Sequence, residues 1–236
     1  DRAGIVGDDG PTHHGVFDLA YMRCIPNLVI SAPLNEHDLR NLMFTAVYGN
    51  DGPFVIRYPR GQGEISNWQN EMKILPIGKG RKLREGKNIA LISIGQIGND
   101  TAKAIDAAKA FGIEAGHYDL LFLKPIDEDL LTEVAENYHH IITVENGVIT
   151  GGMGDAVLEF LAAHHYTNIE VTRLGIKDQF ITHGSIQELK HLCKIDEEGI
   201  LNTIREVDKR LKNSTIIRLN PYQINSPRGK HDSSAR

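Results

Sequence analysis

From residue 88 to residue 211 the chain alternates strand-sized apolar runs with helix-length amphipathic segments, and that order leaves few folds open. Residues 88–93 read as a strand and 100–111 as a helix stopped by Gly112. A second strand is expected over 117–123, then a helix over 127–138 with Leu130, Leu131, Val134 and Tyr138 on one side. Strands at 140–144 and 169–173 follow. Helices are expected after the turn of Gly151, Gly152 and Gly154 to about His164, at 186–193 and at 197–211. Such alternation predicts an α/β fold, a parallel sheet sandwiched by helices.

Upstream, residues 1–18 hold four glycines and no period of 2.0 or 3.6, which predicts a long loop. Residues 28–30 form a short apolar run between Pro26 and Pro33 and read as a strand. Asn35 is placed to cap a helix over 36–48, with Leu39, Leu42, Met43, Ala46 and Val47 on one face. After Gly49 and the turn at 50–53, residues 54–58 close a strand–helix–strand unit with parallel strands. Residues 62–87 are weakly patterned. The expected organisation is therefore a partial domain at 1–61, a linker at 62–87, a second domain at 88–211 and a disordered tail at 212–236.

Several function classes drop out early. The net charge is −5 with no basic stripe or polybasic segment, so neither nucleic acid nor an anionic membrane is an expected partner. The apolar runs are too short to span a bilayer. Cys24 and Cys193 are far apart, without partners at metal spacing, and read as two buried thiols in a reducing cytosol. The chain begins at Asp1, without Met, inside a glycine-rich loop, and is expected to be a piece of a longer protein.

In an open parallel sheet, ligands bind beyond the carboxyl ends of the strands. Arg60 follows the strand 54–58 at that end, and the loop carrying Arg2, Asp9 and His13 is placed to reach the same edge. Two guanidiniums there would form a bidentate site for an oxyanion such as phosphate. Asp9 and His13 beside them would orient hydroxyls and move protons. The histidine pairs 13–14, 139–140 and 164–165 are sequence neighbours whose side chains do not converge, so no metal site is expected. The glycine turn at 151–154 precedes a helix and is placed either to hold an anion at the helix N-terminus or to allow close packing.

Motifs strengthen this reading. Asp1-Arg2-Ala3-Gly4, Asp9-Gly10-Pro11-Thr12-His13, Gly15 to Leu19, Arg23 to Pro26, and Arg57-Tyr58-Pro59-Arg60-Gly61 occur in order. Leu123 to Asp127, Thr143 to Asn146, Gly151 to Gly154 and Asp178-Gln179-Phe180 continue the series. Over residues 1 to about 211 the chain resembles the 1-deoxy-D-xylulose-5-phosphate synthase family of transketolase-like thiamine-diphosphate enzymes. The resemblance implies a partial pyrimidine-binding domain followed by a transketolase C-terminal domain. It implies that Arg2 and Arg60 hold the phosphate of D-glyceraldehyde 3-phosphate, that His13 contacts the aldehyde and transfers protons, and that Asp9 lines the acceptor pocket. It further implies condensation of pyruvate, with loss of CO2, with that aldehyde, for isoprenoid, thiamine and pyridoxal precursors. Thiamine diphosphate and Mg2+ would be bound mainly by a part upstream of Asp1, the whole protein being a homodimer and the piece itself inactive. The DGPTH string is shared with transketolases, and the arginine pair narrows the family. The competing readings are a transketolase or 2-oxo acid dehydrogenase beta-type subunit, and a non-catalytic dimerisation remnant.

Overall fold

The computed structural model describes residues 1–219. In chain order, α1 covers Asp18–Met22, β1 Val29–Ser31, α2 Glu36–Tyr48 and β2 Phe54–Ile56. Then come β3 (Arg81–Arg84), β4 (Ile89–Ser93), α3 (Ile97–Ala108), β5 (Gly116–Asp119), β6 (Phe122–Lys124) and α4 (Glu128–Asn137). β7 (His140–Val148), α5 (Met153–Ala163), β8 (Glu170–Ile176), α6 (Ile186–Cys193) and α7 (Glu197–Leu219) complete the described chain.

The larger sheet has the order β3-β5-β4-β7-β8, with β5, β4, β7 and β8 parallel and β3 antiparallel at one edge. Side chains alternate across it. Ile89 and Leu91 of β4 join Ile142 and Val144 of β7 in a core with α3, α6 and α7. Ala90, Ile92 and Ile141 face the other way, onto α4 and α5. The layered α/β architecture is that of the sequence reading, with the sheet mixed rather than wholly parallel.

The differences from that reading have physical causes. β3 lies inside the segment expected to be a linker; Arg-Lys-Leu-Arg carries one apolar residue because it is a charged edge strand. Residues 117–123 are not one strand. Leu121 sits at φ 53°, β5 ends at Asp119, and β6 crosses to the smaller sheet, where it runs antiparallel to β1 in the order β2-β1-β6. The apolar run looked continuous because Leu120 fills the core under α4 and α5 while Phe122 packs with Val29 and Leu42. α3 begins at Ile97 rather than at residue 100. Cys24, expected to be a buried thiol, is exposed. The tail expected to be disordered from 212 is helical as far as Leu219, and 220–236 fall outside the described residues.

α2 starts where Asn35 caps it, the side chain accepting from Asp38 N–H at 3.0 Å. Its buried face is not the expected apolar one: Met43 and Val47 are exposed, and Asp38, Asn41, Leu42 and Thr45 are buried. The polar ones are satisfied by a strap of chain across the helix. Asn41 Oδ1 accepts from Lys73 N–H at 2.9 Å, and Thr45 Oγ1 from Leu75 N–H at 2.8 Å. Asp38 meets Arg81 of β3, which also reaches Asp119 at the end of β5 at 2.8 Å. One guanidinium thus ties the small-sheet unit to the large sheet. Asp119 is fully buried, and burial pushes its carboxyl up to about 6 although Arg81 pulls the other way.

Candidate anion-binding site

The first sixteen residues form a loop closed on itself by backbone bonds. Gly4 N–H donates to Gly15 O at 2.7 Å, and Gly15 N–H returns to Gly4 O at 2.9 Å. Both glycines are obligatory. A Cβ at Gly4, where φ is +72°, would lie 2.0 Å from Asn146 Nδ2, and one at Gly15 would lie 2.3 Å from Arg2 O. Ala3 N–H donates to Tyr58 O at 3.0 Å, joining the loop to the chain that leaves β2. Arg2 adopts the left-handed region at φ 66°, a conformation that costs an ordinary residue roughly 1–2 kcal/mol. Strain of this kind gathers at functional sites.

That turn sets Arg2 beside Arg60. Asp9 Oδ2 lies 2.8 Å from Arg60 Nη1 and 3.5 Å from Arg2 Nη1, so two guanidiniums from segments far apart in sequence converge on one carboxylate oxygen. All three side chains are 35–55% exposed, which leaves the group open to solvent. His13 does not join it. It is exposed on the same loop, with Nδ1 hydrogen-bonded to Thr12 Oγ1 at 2.9 Å.

Three residues that the sequence reading assigned no role hold this loop. His14 is buried; its Nδ1 accepts from Val6 N–H at 3.1 Å, so Nε2 carries the proton and donates to Thr182 O at 3.2 Å. Asn146, at the carboxyl end of β7, accepts from Ile5 N–H at 3.2 Å. Arg57, 7% exposed, pairs with Asp18 at 2.8 Å. The signal for Arg57 was present: a charged residue at the inner end of an apolar strand needs a buried partner.

The glycine turn before α5 is already filled. Glu145, fully buried on β7, accepts from Met153 N–H at 3.0 Å and Gly154 N–H at 2.9 Å. Burial raises its carboxyl to about 6 against those two bonds. A Cβ at Gly152 would lie 2.3 Å from its oxygen, so the turn is built around this carboxylate. A diphosphate with Mg2+ does not fit there, since its charge would face a buried acid. Among the described residues one histidine–carboxylate group, His191, Asp196 and Glu198, brings ligand atoms within 4.8 Å. Its central carboxylate is committed to the turn before α7: Asp196 Oδ1 accepts from Gly199 N–H at 2.9 Å and Oδ2 pairs with His191 at 2.8 Å. No helix among the described residues is long and apolar enough to cross a membrane.

Residues 1–64 match the transketolase pyrimidine binding domain and residues 78–200 the transketolase C-terminal domain. The chain is 60% identical over 206 residues to the 1-deoxy-D-xylulose-5-phosphate synthase of Parabacteroides distasonis, covering 87% of this chain and 32% of that protein. Against the synthase of Bacteroides fragilis the identity is 56%, covering 89% of this chain and 33% of the relative. The chain thus spans about a third of the length of the curated relatives it matches. Among solved structures, a split gene transketolase described as an inactive beta4 tetramer superposes with a TM-score of 0.71 at 26% identity, covering 83% of this chain and 62% of that one. A transketolase from Pichia stipitis superposes with a TM-score of 0.67 at 18% identity, covering 90% of this chain and 30% of that one, and speaks for the fold alone.

Proposed function

The chain belongs to the transketolase family, carrying its pyrimidine-binding and C-terminal domains, and from that premise we propose that it supplies the acceptor half of a 1-deoxy-D-xylulose-5-phosphate synthase. The reaction would join pyruvate, with loss of CO2, to D-glyceraldehyde 3-phosphate. One observation carries the reading: the guanidiniums of Arg2 and Arg60 converge on a single oxygen of Asp9. That carboxylate marks where an anion is held, and a phosphate offers the planar forks more oxygens than a carboxylate does. Phosphate bound there leaves the aldehyde end of the acceptor to the rest of the loop. His13, outside the cluster but on the same loop, then donates a proton to the aldehyde oxygen as it becomes a hydroxyl. Asp9, released from the arginines, accepts from the acceptor's own hydroxyl.

Thiamine diphosphate supplies the electron sink of this chemistry. The glycine turn gives its diphosphate no place, because Glu145 fills it. In this reading its diphosphate and Mg2+ are held by sequence outside these residues, and the whole protein is a cytoplasmic homodimer. The chain alone, mixed with pyruvate, glyceraldehyde 3-phosphate, thiamine diphosphate and Mg2+, should give no product above a no-protein control. A chimera in which it replaces the matching third of the Parabacteroides distasonis relative should release CO2 from pyruvate in step with the phosphorylated aldehyde. Turnover by the chain alone would refute the division of labour. A chimera that takes a ketose donor in place of pyruvate would favour a transketolase-type subunit, the reading to which the split-gene relative lends weight.

A further inference from the structure

The loop bearing Arg2, Asp9 and His13 includes no strand and no helix before α1 at Asp18, so something outside it must fix its place. The candidates are the contacts it makes with the two sheets. Arg57 makes three at once. Its Nε donates to Asp18 Oδ1 at 2.8 Å, while Nη2 donates to Gly15 O at 2.8 Å and to Asn146 O at 2.7 Å. Gly15 is the residue that closes the loop on Gly4, and Asn146 belongs to β7 of the large sheet. Beside this bridge, Val148 N–H donates to Val16 O at 2.8 Å. Arg57 also lies three residues before Arg60 on the chain leaving β2.

A guanidinium is planar and its donors keep fixed angles, so one that bonds two carbonyls from one nitrogen sets the distance between them. Arg2 is referred to this point through Gly15 and Gly4, and Arg60 through the backbone. We infer that Arg57 is a positioning residue that fixes the loop of residues 1–16 against the end of β7 and thereby sets the spacing of the Arg2–Arg60 pair. Through this bridge the C-terminal domain contributes to acceptor binding. For its effect on turnover, though not for the placement itself, the inference rests on the phosphate-clamp reading above.

Arg57→Lys tests it. An ammonium keeps the charge beside Asp18 but does not reproduce the two-carbonyl bridge. In the chimera, KM for glyceraldehyde 3-phosphate should rise roughly three- to tenfold, with kcat and KM for pyruvate little changed. Unphosphorylated glyceraldehyde should feel the change far less. In this chain, hydrogen exchange at the Gly4, Gly15 and Val148 amides should quicken while β4 keeps its protection. Unchanged exchange at those three amides overturns the inference, as does a fall in kcat alone, which is what a smaller folded fraction gives. If exchange quickens yet both acceptors respond alike, the placement stands and the phosphate clamp falls.

Discussion

Arg81→Met should cost the fold about 3 kcal/mol and lower Tm by about 6–12 °C. Arg81 is the shared partner of Asp38 and Asp119, which are 4% and 0% exposed at the side chain. Removing the cation leaves two buried carboxylates facing each other, and breaking one side of a buried ion pair costs more than the pair contributes. The lower end of the usual range applies because the Arg81 side chain is itself 37% exposed, so water softens the loss. The penalty should also depend on pH. Asp119 has a folded-state value near 6, raised above the roughly 3.9 of an unfolded aspartate. Stability tied to its protonated form is full below about pH 4 and lost as pH rises through about 6. Without Arg81 the value climbs further, so the variant should lose more at pH 8 than at pH 5. Urea titrations of both proteins at the two pH values measure this; a penalty below about 1 kcal/mol, or one independent of pH, would mean that water already screens the pair.

The second large effect is functional. In the chimera, Arg60→Ala removes charge-assisted hydrogen bonds worth roughly 1.5 to 3 kcal/mol to a phosphate. The result should be about a ten- to hundredfold loss in kcat/KM for glyceraldehyde 3-phosphate. Unphosphorylated glyceraldehyde lacks the contact and should lose far less. Arg60→Lys should recover only part, because it restores the charge without the planar fork. Equal losses for the two acceptors would make Arg60 a structural residue. In that event Asp9, its partner at 2.8 Å, would be the shared anion of a surface ion-pair cluster with Arg2 and nothing more.

What could be read from the sequence follows from where local chemistry decides structure. The bounds of α2 were legible because Asn35 caps one end and Gly49 stops the other. Its buried face was not, since the partners of Asn41 and Thr45 come from a strap about 30 residues downstream that no periodicity announces. β3 was not legible because a charged edge strand looks like a polar linker, nor was the break between β5 and β6, because Leu120 and Phe122 of one apolar stretch fill different cores. At the site, Arg2 and Arg60 were found through strand ends and motif order, which speak of where side chains emerge. Arg57 and Asn146 stood in the same motifs, but Arg57 bonds the backbone carbonyls of Gly15 and Asn146, and Asn146 Oδ1 accepts from the Ile5 N–H; a sequence does not say which backbone groups meet.

The crossing of β6 to the smaller sheet bears on how such genes can be rearranged. The two family domains abut between residues 64 and 78, which looks like a natural seam for recombination. Yet β6 lies downstream of that seam and pairs with β1 upstream of it. A crossover there between distant homologues would bring together two strands that had not evolved against each other. A parallel pair, β1 and β2, would keep its partner of origin while the third strand was exchanged. The unit passed on intact should therefore be both domains together. A gene break is best tolerated outside that unit.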